Sequence, residues 1–71
     1  MKPTHTHTPN STNVTQLDWH SDGRLVATFK GGKSYTYANV PEAEYHKLTK
    51  ADSVGGHLAK HIKNHYTVQK N

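Results

Sequence analysis

A chain of 71 residues has room for one small domain, and without cysteine it can form neither a disulfide nor a thiolate metal site. No apolar run reaches membrane-spanning length, and no signal-type apolar stretch follows Lys2, so a cytoplasmic location is expected. The formal charge is +4, nine Lys and Arg against five Asp and Glu, which points either to solubility or to attraction to polyanions.

Residues 1–12 contain almost nothing apolar and read as a flexible N-terminal tail. Three strand-like runs follow, NVTQLDWH, RLVATFK and SYTYANV, separated by SDG and KGG. Pro41 then opens a helical stretch, PEAEYHKLTKA. Proline suits a first turn because its missing N–H had no partner there. Glu42 and Glu44 complement the dipole at the start, and Lys47 and Lys50 complement it at the end. Ser53 is placed to cap a second helix from Val54 to Tyr66. The expected domain spans residues 13–67, with 68–71 as a short C-terminal tail.

Two hairpin registers are open. Two-residue turns at Asp22-Gly23 and Gly31-Gly32 divide the aromatic residues between the two faces of the sheet. Three-residue loops ending in Gly23 and Gly32 instead pair Trp19 with Leu25, Leu17 with Ala27, Ala27 with Tyr35, and Leu25 with Tyr37. The second register is preferred, because it gathers Leu17, Trp19, Leu25, Ala27, Tyr35 and Tyr37 on one side, with Phe29 at the edge. Gln16, Asp18, Val26, Thr28, Ser34 and Thr36 are left on the other. Tyr35 and Tyr37 then face the interior rather than a partner. Helical spacing supplies the matching surface: Tyr45, Leu48 and Ala51 from the first helix, and Leu58, Ala59, Ile62 and Tyr66 from the second. Lys60, Lys63 and Asn64 fall opposite that stripe. The expected architecture is α+β, a three-stranded antiparallel meander followed by two α-helices packed on one face (β-β-β-α-α).

In order and spacing, VTQLDW, LVATF, a glycine turn, YTY, NVP and then ADSVGGHLAKHIKNHY resemble the KTSC domain family over about Asn13 to Tyr66. The family's Tyr-x-Tyr corresponds to Tyr35 and Tyr37, and its A-x-S-x-G segment to Ala51, Ser53 and Gly55. The resemblance implies this β-β-β-α-α fold. It also implies a small domain found at the C terminus of some lysyl-tRNA synthetases and alone in bacterial and phage proteins, where RNA binding is suggested by that association. It assigns no catalytic residue.

Three constellations remain. Ser53, Gly55 and Gly56 stand at a helix start, where unpaired N–H groups attract anions; close helix packing explains the glycines equally well. His57, His61 and His65 are four apart and could pair on a metal, but no cysteine or nearby carboxylate completes a set, so no metal site and no cofactor is expected. A Ser53–His57 nucleophile pair is conceivable, but Ser53 is better used as a cap, and no catalytic residue is expected. The basic surplus lies late: Lys47, Lys50, Lys60, Lys63 and Lys70 stand against Asp52 alone from Tyr45 onward. The expected function is a non-catalytic binding module. It contacts RNA or another nucleic acid through Lys47, Lys50, Ser53, Gly55, Gly56, Lys60 and Lys63. The alternative is a protein partner for a bacterial or phage accessory or inhibitor protein.

Overall fold

The hairpin loops settle the register. His20 and Arg24 close the first loop through His20 N–H to Arg24 O (2.8 Å), and Phe29 and Lys33 close the second (2.6 Å). Each loop therefore holds three residues and ends on a glycine with positive φ, Gly23 at 97° and Gly32 at 89°. Arg24 also holds the Asp22 carboxylate, its Nε lying 2.8 Å from Oδ2. The pairing that follows is Trp19 with Leu25, Leu17 with Ala27, Leu25 with Tyr37, and Ala27 with Tyr35. This is the preferred register, and it puts the apolar alternation on one face.

The computed structural model describes residues 2–9, 13–63 and 65–70. Five strands form one antiparallel sheet in sequence order: β1 (His5–His7), β2 (Val14–Trp19), β3 (Leu25–Phe29), β4 (Ser34–Tyr37) and β5 (Val68–Lys70). Helices α1 (Glu42–Lys50) and α2 (Val54–His57) follow β4, and α2 continues as a π-helical segment, Leu58–Ile62. The α+β class and the antiparallel sheet under two helices are as expected. The strand count is corrected from three to five. Both additions come from segments expected to be tails. β1 pairs His5 with Trp19 and His7 with Leu17, while β5 pairs Val68 with Tyr37 and Lys70 with Tyr35. An edge strand is held by backbone hydrogen bonds to a strand already in place, so it needs little apolar surface of its own. The remaining tail residues, 1, 10–12 and 71, and Asn64 lie outside the described residues.

The second helix is also corrected. It was expected to be α-helical to Tyr66, but the Lys63 N–H reaches back five residues to Leu58 O at 2.8 Å. A turn of that width takes in more residues than the α-helical 3.6. Val54, Leu58 and Ile62, four apart, all point into the core, whereas Ala59, expected in the stripe, is exposed.

The core lies between the sheet and the helices. Leu17, Trp19, Leu25, Ala27, Tyr37, Tyr45, Leu48, Leu58 and Ile62 are buried, and Phe29, Tyr35 and Tyr66 pack partly buried against them. Val14 and Val54 join the core from the first positions of β2 and α2, and Val40 from the loop before α1. On the other sheet face, Gln16 and Thr6 both donate to the Asp18 carboxylate. No helix among the described residues is long and apolar enough to cross a membrane.

The loop before α1 is fixed from two sides. The Trp19 Nε1–H donates to Val40 O at 2.9 Å, and the Val40 N–H donates to Gly23 O at 2.8 Å. A Cβ on Gly23 would stand 3.3 Å from Asn39 Cα, whereas one on Gly32 would meet nothing within 4 Å. Gly32→Ala is therefore expected to cost only the left-handed backbone term, about 1 kcal/mol. Gly23→Ala adds displacement of the loop and is expected to cost about 2 kcal/mol or more. Urea unfolding of the two variants checks the order.

Candidate nucleic-acid interface

The chain alternation that buries Tyr37 also decides what borders it. Residues directly opposite on paired strands project to the same face. Lys70, opposite Tyr35, and Val68, opposite Tyr37, therefore stand on the helix-facing side of the sheet. Lys33, closing the loop opposite Phe29, stands there too. β5 at this edge forms one side of a groove.

The groove encloses about 440 Å³. Phe29, Tyr35 and Tyr37 form its base, Gly55, Leu58, Ala59 and Lys63 the helical wall, and Val68 and Lys70 the strand wall, with Lys33 at one end. Phe29 and Tyr35 meet edge to face, centroids 5.4 Å apart at 79°. A shallower recess of about 260 Å³ is lined by Lys33, Ser34, Tyr35 and Lys70, so the two share one lysine-flanked border. No acidic side chain lines either space. Lys33, Lys63 and Lys70 are exposed, and no ion pair to them forms among the described residues.

The paired tyrosines divide their roles. Tyr37 is 3% exposed, while Tyr35 is only partly buried and reaches both recesses. Burial, and next the neighbouring Tyr35, pushes the Tyr37 phenol above its ordinary 10.0. The unfolded chain, with the lower value, releases this proton first. The stabilisation is thus complete below about pH 10 and is lost as pH rises through the folded-state value. Tyr37→Phe is expected to flatten the alkaline fall in stability above about pH 10, measured by urea midpoints.

Of the residues expected to bind nucleic acid, the groove brings together Gly55 and Lys63. Lys47 and Lys50, at the end of α1, and Lys60, on the π-helical segment, are exposed but do not line it. The Ser53 hydroxyl accepts the Gly56 N–H at 3.1 Å, and a Cβ on Gly56 would lie 3.0 Å from that oxygen. Ser53 and Gly56 thus build the start of the helix, while Gly55 leaves room in the groove. His57 turns to Glu44 (3.0 Å) rather than to Ser53, so no nucleophile–base pair forms there. From sequence, Lys33 stands only among the basic residues near the turns and Lys70 only in the late basic surplus, neither placed in the binding set; Val68 was not singled out, and Phe29 and Tyr35 were assigned only to the core. The available signal was the alternation Thr-Val-Gln-Lys after Tyr66, which repeats the strand period.

The fold and groove define a small α+β domain with an antiparallel sheet, two covering helices and a cationic cleft at one sheet edge. The KTSC domain family model matches residues 10–66, and the chain belongs to the KTSC domain family. A KTSC domain protein from Yersinia pestis, known from its crystal structure, has the same fold with a TM-score of 0.83 at 23% identity, over 94% of this chain and 96% of that one. No curated protein matches the chain.

Proposed function

We propose that this KTSC domain is a non-catalytic binding module for RNA, taken as a single strand along the groove. The observation that carries this reading is the set of Lys33, Lys63 and Lys70 around a base that exposes the partly buried rings of Phe29 and Tyr35. Lysines that neutralise phosphates supply sequence-independent affinity, and aromatic faces or edges accept unstacked bases. A groove of about 440 Å³ falls in the range that holds one small aromatic group, and the adjoining recess extends the path for a chain. A double helix presents its bases stacked and out of reach, so single strands are favoured. The lack of cysteine supports a reducing, cytoplasmic setting.

Fluorescence anisotropy with labelled ten-residue oligoribonucleotides tests this. Binding at low salt is expected, with log K falling against log salt at a slope of about −2, the value for three phosphate contacts on a single strand. Absence of binding to single- or double-stranded RNA or DNA at low salt removes the proposal. A second reading rests on β5. It is one of the two edge strands, and its Val68 is 42% exposed. An unpaired strand edge of that kind can accept a strand from a protein partner. Binding of that sort is expected to persist as salt rises.

A further inference from the structure

The opposite edge of the sheet carries a second cluster, unrelated to the groove. β1 lies beyond β2, and its pairing with Trp19 and Leu17 turns His5 and His7 toward the helix-facing side. There His5 meets the first turn of α1. Its Nε2 lies 2.6 Å from Glu42 Oε2. His46, one helical turn after Glu42, brings its Nε2 to 3.9 Å from the same oxygen. One ligand atom from each of the three side chains falls within 4.8 Å of the other two.

We propose that His5, Glu42 and His46 bind a divalent cation of borderline softness, with zinc as the reference metal. Two imidazoles and one carboxylate are a zinc-type donor set, and a tetrahedral ion with bonds near 2.0–2.1 Å needs donors about 3.3 Å apart. The His5–Glu42 separation is shorter than that and the His46–Glu42 separation longer, so each adjusts by less than ~1 Å through side-chain rotation. His5 is already oriented for the purpose. Its ring stacks on Tyr45 (5.5 Å, 10°) and on Trp19 (5.6 Å, 26°), and His46 meets it edge-on at 5.3 Å. The solvent side is open, with Glu42 and His46 about half exposed, so water completes the coordination. A simple hydrogen-bonded His5–Glu42 pair would not require His46, whose nitrogen stands too far away for a hydrogen bond. The consequence is structural. The ion ties an edge strand that buries little apolar surface to the covering helix, and so makes the order of β1 depend on metal.

Isothermal titration of the full chain with zinc chloride, together with amide hydrogen exchange, tests the site. One equivalent of Zn²⁺ is expected to bind, and His46→Gln, at an exposed position, is expected to weaken it at least tenfold with an unchanged circular dichroism spectrum. His5→Gln is expected to do the same, while His7→Gln and His61→Gln leave affinity within about twofold. Zinc is expected to slow exchange of the β1 amides in the parent chain but not in His46→Gln. Three results overturn the site: no zinc binding, affinity unmoved by His46→Gln, or affinity lost in His7→Gln or His61→Gln. The last would assign the metal to a chelate within β1 or to the histidines of the second helix.

Discussion

Trp19→Ala is expected to unfold a large part of the population at 25 °C. The indole is 7% exposed, its Nε1–H satisfies Val40 O at 2.9 Å, and its ring meets His5 at 5.6 Å and Tyr45 at 6.3 Å. Removing it leaves a cavity, an unpaired carbonyl and an unsupported first strand. Large aromatic deletions in cores cost about 3–5 kcal/mol. A single core in a chain of 71 residues rarely supplies more than about 3–5 kcal/mol, so one substitution takes up most of it. Trp19→Phe keeps most of the packing but orphans the Val40 carbonyl, and is expected to lose about 1–2 kcal/mol. Urea denaturation followed by circular dichroism separates the two. A loss below about 1 kcal/mol for Trp19→Ala would show that the loop into α1 is held by other means.

The second large effect concerns the groove. The triple variant Lys33→Ala, Lys63→Ala, Lys70→Ala is expected to weaken RNA binding at least tenfold and to bring the salt slope near zero. Lys47→Ala, Lys50→Ala, Lys60→Ala removes the same charge from exposed positions outside the groove. At about 0.15 M salt its effect is expected to stay within about threefold, because these exposed side chains do not line the groove and charges away from direct contact are screened. Equal losses in the two variants would mean diffuse attraction to a basic protein rather than a site. Tyr35→Ala is expected to lose a further ~1–3 kcal/mol of binding if its ring carries a base, and Tyr35→Phe to retain most of it.

Much of the interior was legible in the sequence, because period-two alternation in VTQLDW, LVATF and SYTY allows only one register with a single apolar face. Glycine at the end of each three-residue loop points to the same register. What escaped has physical causes. His5–His7 and Val68–Lys70 carry the strand period with no apolar residue but Val68, and such segments form strands only where a sheet edge already exists. Both surface sites depend on these two edges, so the site could not be read before the edges were. Val14, Val40 and Val54 were missed as core because Val14 and Val54 open their elements and Val40 lies in a loop, where no periodic pattern marks them. The widened turn at Leu58–Ile62 has no local sequence signal; along and just after it Ala59 is exposed and Lys63 borders the groove.

The claim on which the functional account rests is tested most directly by titrating unlabelled single-stranded oligoribonucleotide into ¹⁵N-labelled protein and mapping the amide shifts. The account expects the largest changes at Phe29, Lys33, Tyr35, Gly55, Lys63 and Lys70, on both walls of the groove, with Lys47 and Lys50 nearly still. Changes centred on the C-terminal end of α1, or none at saturating RNA and low salt, would contradict it.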